Sequence, residues 1–356
     1  MQMRGGAWEG LLRRGDGSRR NREGADVKKR RKNTAVTGLL TVAALTVVLL
    51  ILLRDHADTM IAAISGLSLP DLLLLIGLGF LYQFFEACIC CAMVRTRLPD
   101  FHLRRALKVI YLKLFGSVVS LGSASILLEC YALQQNGLSA GSGAGLMTLE
   151  YVFHKISITL YATAALAVQW PWLRQSSPGL ARYLLPAYFA IALIIAALVL
   201  LCTWSWIQRA ALRLIGWLPD TDKWNRRRET CREQLQVVYT ESHALFANRA
   251  CCVKILALNA VKLFTLYAIP CLCMRILDVE SPGFFQMQAL AAVMLFLISI
   301  LPNVAGMGPT ELAFLLIFSP YVGEGTAASA LILYRISTYY APMMMGIYPF
   351  CTIRTP

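Results

Sequence analysis

The sequence has 356 residues, of which 57% are hydrophobic and only 15% are charged, whereas an ordinary soluble domain is about a quarter charged. Its mean hydropathy is +0.58. These proportions argue against a water-soluble fold and predict an all-α, polytopic membrane helix bundle, because about 20 apolar residues in a helix span the hydrocarbon core. The net charge of +14 is concentrated in a few blocks. We therefore expect anionic lipid headgroups, and not nucleic acid, as the counter-charge.

Cysteine and histidine show no metal-binding pattern. None of the four histidines has zinc-finger spacing from a cysteine pair, and free cysteine within an apolar run behaves as a small hydrophobe. We therefore expect no metal site. We also expect no cofactor and no catalytic residue. The cysteines within apolar runs include Cys88, Cys90, Cys91, Cys202, Cys271 and Cys273.

The chain divides into a basic arm and one membrane domain. Residues 1–33 have almost no apolar content and contain the run KKRRK, which predicts a disordered cytoplasmic arm. Residues 34–351 hold a series of apolar segments, the first of which is too long for a signal-peptide core. The segments are residues 35–53, 72–94, 106–128, 146–168, 184–206, 253–276, 285–301, 311–318 and 327–347.

Positive charge lies in three places: the arm, residues 95–105 and residues 209–249. The positive-inside rule places all three in the cytoplasm. The connection at residues 207–250 contains a basic, amphipathic pattern. This pattern predicts either a helix lying on the inner leaflet or a connector packed against the cytoplasmic face of the domain.

Two apolar segments are interrupted by small and helix-breaking residues. Three full crossings between the second and third basic regions would put those regions on opposite sides of the membrane, which conflicts with the positive-inside rule. Residues 116–145 are rich in Gly and Ser, and we therefore predict that they form a broken or re-entrant pair. Residues 301–311 contain two prolines and two glycines and are predicted to be a second such break. Paired interruptions indicate possible inverted or paired half-repeats around a substrate site at mid-membrane.

Ionisable residues inside apolar segments are costly, so each is a candidate functional residue with an expected partner. Glu311 and Arg335 can bind a headgroup together, or can form a structural ion pair. A helix beginning at Pro309 would aim its free N–H groups at a phosphate, with Thr310 in its first turn. The candidates are Glu86, Lys108, Lys113, Glu129, Glu150, His154, Lys155, Glu311 and Arg335.

Two groups of candidates have further interpretations. Glu150 and His154 share a helical face at i and i+4, and together with Lys155 they can shuttle a proton or hold a headgroup, or can be packed polar residues. Lys108 and Lys113 lie near the basic residues 95–105. They are interpreted as interfacial anchors whose ammonium groups reach the surface.

Residues 302–346 resemble the closing motif of the lysylphosphatidylglycerol synthase transmembrane family. That motif is a Pro- and Gly-rich break, a Gly-x-x-Glu-like step and an aromatic stretch, followed by an Arg with Thr-Tyr-Tyr and Pro after it. The matching positions are Pro302, Gly306, Gly308, Glu311, Phe314, Phe318, Arg335, Thr338, Tyr339, Tyr340, Pro342 and Gly346. Residues 129–141 look like the family's Gln-x-Tyr step, with Glu129 where Gln is common and without the usual Gly-Gly-Gln-Pro-like turn before it. The resemblance covers roughly residues 34–351.

This family includes stand-alone proteins and the membrane half of the multiple peptide resistance factor, which is associated with moving aminoacylated phosphatidylglycerol between leaflets. The resemblance implies a lipid flippase or lipid-transport component in a bacterial cell membrane, with a polar-headed phospholipid, anionic or aminoacylated, as its partner. The substrate-binding residues that we expect are Glu129, Glu150, His154, Lys155, Gly308, Thr310, Glu311, Arg335, Tyr339 and Tyr340.

The resemblance leaves two alternatives open. One is a phosphatidylglycerol lysyltransferase, and the other is an accessory subunit of an envelope lipid or glycolipid pathway. In the bifunctional members a soluble domain transfers lysine from lysyl-tRNA to the lipid. No segment of this sequence is long or polar enough to form that domain, so we expect synthase activity to need a separate soluble partner.

Overall fold

The computed structural model describes residues 66–119, 125–204, 222–300 and 309–352, together with residues 207, 209, 210 and 213. Within these ranges all regular structure is helical and no strand occurs, which confirms the predicted all-α class. The basic arm and the apolar segment at residues 35–53 lie outside the described residues. The helices are α1 (Leu69–Val94), α2 (Leu103–Val119), α3 (Ser125–Gln135), α4 (Ala140–Ser176), α5 (Pro178–Thr203), α6 (Asp222–Ala247), α7 (Arg249–Ile276), α8 (Phe284–Leu297), α9 (Pro309–Val322), α10 (Glu324–Arg335), α11 (Ala341–Met344) and α12 (Ile347–Thr352).

Among the described residues, α1, α4 and α7 are long and apolar enough to cross a membrane. The chain is therefore a multi-pass membrane protein. α1 begins at a standard N-cap, where the Ser68 side chain accepts a hydrogen bond from the Asp71 amide. α7 begins in the same way, because Asn248 accepts from the Cys251 amide. α1 packs along α7, and α4 contacts both of them.

The buried side chains form one large apolar core and two smaller ones. The large core joins α4, α5 and α7 to α8, α9 and α10, and its bulkiest buried members include Tyr267, Phe296 and Phe314. A second core packs α2 and α3 on the C-terminal half of α1 and the start of α4. The third core joins α6 to α1, α4 and α7 through Leu245. The C-terminal half of α6 therefore packs against the bundle, as in the packed-connector alternative.

The first predicted interruption, residues 116–145, contains the end of α2, the whole of α3 and the start of α4, whereas the second, residues 301–311, lies between α8 and α9. α2 packs against α3, and α8 packs against α9. The residues between them, 120–124 and 301–308, lie outside the described residues. Arg97 Nε, between α1 and α2, is 2.9 Å from Glu241 Oε2 of α6, and a Cβ on Gly145, near the start of α4, would lie 2.8 Å from Glu241 Cγ. The start of α4 therefore lies at the same end as the α1–α2 connection, where a re-entrant α2–α3 pair would put it. Re-entry into the membrane stays a prediction.

Accessibility mapping tests that prediction. In a background without native cysteines, we expect His102→Cys and Gln135→Cys to react with a membrane-impermeant maleimide from the same side, and Gln175→Cys, near the far end of α4, from the opposite side. All three positions are exposed. Labelling of the first two from opposite sides would show that α2 and α3 together cross the membrane.

The segment after α10 winds into a π-helical turn, Ile336–Tyr340, which packs against α1. The Ser337 hydroxyl donates to the Leu75 carbonyl oxygen, and a Cβ placed on Gly79 would overlap the Ser337 carbonyl oxygen. The two backbones approach so closely that only glycine fits at position 79. π-Helical turns are rare and often occur at functional sites.

This close approach predicts opposite outcomes for two glycines of α1. Gly79→Ala is expected to destabilise the protein by about 1–3 kcal/mol, because the added methyl group meets backbone that must move. Gly77→Ala, where an added Cβ meets nothing within 4 Å, is expected to be neutral or stabilising by up to about 1 kcal/mol. Unfolding in mixed micelles measures both variants. Equal stabilities for the two would contradict the packing of the π-helical turn on α1.

Candidate functional site

The first polar site joins the start of α9 to the end of α10. Arg335 Nη2 lies 2.5 Å from Glu311 Oε1, and the Arg335 guanidinium carbon lies 5.4 Å from the centre of the Tyr339 ring. Glu311 and Arg335 are only 4% and 8% exposed. Thr310, which is also buried, precedes Glu311 in the first turn of α9. We call Thr310, Glu311, Arg335 and Tyr339 the Arg335 site.

Aromatic side chains adjoin this ion pair. The Phe314 ring lies 4.5 Å from that of Phe318 and 5.4 Å from that of Tyr334, measured between ring centres. Tyr339 shares a side-chain hydrogen bond with Ser117 of α2. Both charges are thus shielded from water. Substituting either residue by a neutral one would leave the charge of the other uncompensated inside the protein. A guanidinium in such a site can bind phosphate or carboxylate oxygens in a planar, bidentate manner.

The second polar site is a buried charged cluster whose side chains come from five helices, α1, α2, α3, α4 and α7. Lys113 Nζ of α2 lies 3.1 Å from Glu129 Oε1 of α3 and 3.2 Å from Glu150 Oε1 of α4. The same nitrogen lies 3.8 Å from Glu86 Oε1 of α1. Glu129 and Glu150 are 1% and 5% exposed. One ammonium group therefore faces three carboxylates.

Lys262 of α7 completes this cluster. Its Nζ lies 2.6 Å from Glu86 Oε2 and 3.1 Å from His154 Nδ1. It also lies 5.9 Å from the centre of the Tyr82 ring. Lys262 is only 1% exposed, so its charge is compensated by these neighbours and not by water. The Lys113 cluster is defined as Glu86, Lys113, Glu129, Glu150, His154 and Lys262.

The Lys113 cluster lies near the middle of the bundle. Glu86 is nine residues before Arg95, and Lys262 is thirteen residues after Arg249. These separations correspond to roughly 14 and 20 Å along the helices, while half of the hydrocarbon core is about 15 Å. α1 and α7 share this end, because the Cys251 thiol contacts the Ala92 carbonyl oxygen. Charges at this depth are expensive and indicate function.

Both sites lie along one face of α1. Gly79, Tyr82 and Glu86 are spaced at i, i+3 and i+7, which puts them on the same side of the helix. Gly79 touches Ser337, two residues after Arg335, whereas Glu86 belongs to the Lys113 cluster. The two sites are therefore offset along α1 by roughly 10 Å. Tyr82 lies between them, since it faces Lys262 and neighbours Tyr334.

The residues predicted from the sequence are distributed over both sites and beyond them. Glu150 and His154 both join the Lys113 cluster, whereas Lys155 turns away, donates to the Ser299 carbonyl oxygen at 2.7 Å and lies 4.9 Å from the centre of the Tyr151 ring. Tyr340 is 44% exposed and does not line the Arg335 site. Gly308 lies outside the described residues.

Sequence reasoning missed one residue and misinterpreted another. Lys262 was not among the predicted residues, although a lysine deep in an apolar segment is the signal that identified the other candidates. The interpretation of Lys113 as a surface anchor is wrong, because its ammonium group faces buried carboxylates that need a counter-charge. Lys108 is exposed and lies 6.0 Å from the centre of the Tyr348 ring.

The comparison with protein families finds a match over most of the chain. The family model described as the lysylphosphatidylglycerol synthase TM region matches residues 36–346. This range includes both polar sites and nearly the whole chain. A search of the curated proteins finds no match.

Proposed function

Because the chain belongs to the family of lysylphosphatidylglycerol synthase transmembrane regions, we propose that it is a lipid flippase or a lipid-transport component. Its substrate is a polar-headed phospholipid such as aminoacylated phosphatidylglycerol. Family membership and the membrane-spanning helices establish a membrane protein with a lipid-related role. What we propose beyond this is that the role is lipid transport.

The observation that carries the proposal is the pair of buried charged sites offset along α1. A lipid headgroup that crosses the bilayer must exchange its water shell for polar groups inside the protein. The Arg335 guanidinium suits the phosphate of such a headgroup, since it can donate two parallel hydrogen bonds. The carboxylates of Glu129 and Glu150 suit an ammonium group. The two sites together match a headgroup that carries both charges.

The proposed path runs along the face of α1 that carries Gly79, Tyr82 and Glu86. A headgroup would contact one site on entry and the other about two helical turns further on. Meanwhile the acyl chains would stay among the apolar side chains on the outside of the bundle. Exposed apolar side chains on α1 and α9, such as Leu73 and Leu316, fit contact with acyl chains.

Reconstitution of this chain alone tests the proposal. Proteoliposomes would contain lysylphosphatidylglycerol with a fluorescent label on one acyl chain in both leaflets, and a membrane-impermeant reductant would be added outside. We expect the inner-leaflet label to become accessible in vesicles that hold the protein and to stay protected in protein-free vesicles. Equal protection in both would contradict transport by this chain.

A second reconstitution of this chain tests the transferase alternative. Lysyl-tRNA would be added to proteoliposomes with unlabelled phosphatidylglycerol, and the lipids would be extracted and analysed by mass spectrometry. We expect no lysylphosphatidylglycerol. Its formation by the purified chain would favour the phosphatidylglycerol lysyltransferase reading over the flippase.

A further inference from the structure

The charges of the Lys113 cluster do not balance. Three carboxylates, those of Glu86, Glu129 and Glu150, meet two ammonium groups, those of Lys113 and Lys262. With neutral histidine the cluster has a net charge of −1. In a site shielded from water such an excess is costly, and carboxylates that share a site favour retaining a proton on one of them.

The excess lies on the α3–α4 side of the cluster. Lys262 makes its short contacts with Glu86 and His154, at 2.6 and 3.1 Å, so among the described residues Lys113 is the cation in direct contact with both Glu129 and Glu150. A second observation points to the same place: Glu150 is 5% exposed, and its Oε2 accepts no hydrogen bond within the described part of the chain. A buried carboxylate oxygen of this kind is a site for a proton.

We propose that Glu129 and Glu150 share one exchangeable proton, and that a cationic lipid headgroup displaces it. The carboxyl O–H bond breaks, the proton leaves to water, and the ammonium group of the lipid takes over the compensating charge. The cluster stays neutral before and after the exchange. The proton site stands on the geometry alone, whereas its exchange with a lipid rests on the proposed function. The ligand classes are thus a proton and a primary ammonium group.

Other titratable groups around the two carboxylates are few and mostly engaged. α8 contains no titratable side chain, and the described residues contain no group of three or more His, Cys, Asp or Glu side chains arranged to hold a metal ion. Among the described residues, the titratable or charged groups that face the pair are Tyr82, Glu86 and Cys90 of α1, Lys113 of α2, Cys130 of α3, His154 of α4 and Lys262 of α7.

Infrared spectroscopy of the purified full chain in lipid nanodiscs tests the proton site without any transport. A neutral carboxyl group has a C=O stretch that is distinct from the bands of a carboxylate. We expect such a band at neutral pH, its loss on raising the pH, and its loss at neutral pH in Glu150→Gln or Glu129→Gln. Glu241→Gln is the matched control, because Glu241 is a buried carboxylate with one cationic partner, Arg97; the band should persist.

Each outcome has one meaning. Absence of the band from the wild-type protein at neutral pH, or its persistence in both Glu129→Gln and Glu150→Gln, would overturn the proton site. Both variants replace a carboxylate by its isostere and bring the cluster to a net charge of zero, so both are expected to fold. A folding defect in one of them leaves the other, together with the wild-type titration, to decide.

Proton release tests the exchange. Lysylphosphatidylglycerol would be added to the weakly buffered wild-type protein with a pH dye, and phosphatidylglycerol would serve as the lipid without an ammonium group. We expect about one proton released per protein with the first lipid only, and none from Glu150→Gln. Binding or translocation of lysylphosphatidylglycerol without proton release would overturn the exchange. Failure of translocation for every lipid would instead contradict the proposed function and leave the infrared test of the proton site decisive.

Discussion

Arg335→Lys is expected to reduce lipid translocation tenfold or more while the protein stays folded. Lysine keeps the charge, but a point charge cannot reproduce the planar, bidentate contact of a guanidinium with a phosphate. One hydrogen bond to a charged group contributes about 1.5–3 kcal/mol, and about 1.4 kcal/mol corresponds to a tenfold change in affinity. The measurement is the reductant-accessibility assay on reconstituted protein, with thermal unfolding of the same preparation. Arg275→Lys is the matched control, since it makes the same change at an exposed position near the end of α7.

The alternative for the Arg335 site is a structural ion pair that only holds α9 to α10. In that case Glu311→Gln and Arg335→Met would each destabilise the protein, and the double variant, which removes both charges, would recover much of the loss. Stable but inactive variants support a headgroup site. Recovery of stability in the double variant together with retained translocation would contradict it.

Lys262→Met is expected to cost about 3–5 kcal/mol of stability, the largest effect of any single substitution considered. Lys262 is 1% exposed and 2.6 Å from Glu86, so its removal leaves a buried carboxylate without its nearest counter-charge. Adding Glu86→Gln should restore much of the loss. Reversible unfolding in mixed micelles measures the three proteins.

The control for this prediction lies on the same helix. Lys254 is exposed, and Lys254→Met is expected to change stability by no more than about 0.5 kcal/mol. Equal losses for Lys254→Met and Lys262→Met would show that the Lys262 contacts do not stabilise the fold.

The general architecture could be predicted from composition and motif. A chain with so few charges has to place its apolar segments in a membrane, and an ionisable residue in such a segment stands out. This reasoning identified Glu311 and Arg335, which the structure pairs at 2.5 Å. It also identified Glu150 and His154, because helical spacing alone puts residues at i and i+4 on one face.

The rest could not be predicted because it depends on contacts between distant segments. Lys113 resembles a surface anchor when it is judged by its distance from Arg105 along the chain. Its role depends on the packing of α2 against α3, which brings Glu129 within 3.1 Å. Lys155 adjoins His154 in sequence but reaches the Ser299 carbonyl oxygen just after α8. Lys155 is five residues after Glu150 and therefore lies on a different side of α4 from Glu150 and His154. The directions in which these side chains point depend on how the helices pack against each other.

The central claim is that a lipid headgroup enters the buried charged sites, and photocrosslinking tests it most directly. A lysylphosphatidylglycerol analogue with a photoreactive group on its headgroup would be reconstituted with the protein, irradiated and mapped by mass spectrometry. We predict labelled peptides from α1 around Tyr82 and from the end of α10 around Arg335, with competition by unmodified lysylphosphatidylglycerol and weaker labelling in Arg335→Lys. Labelling confined to the ends of the helices, or unchanged by competitor, would contradict entry of the headgroup between the helices.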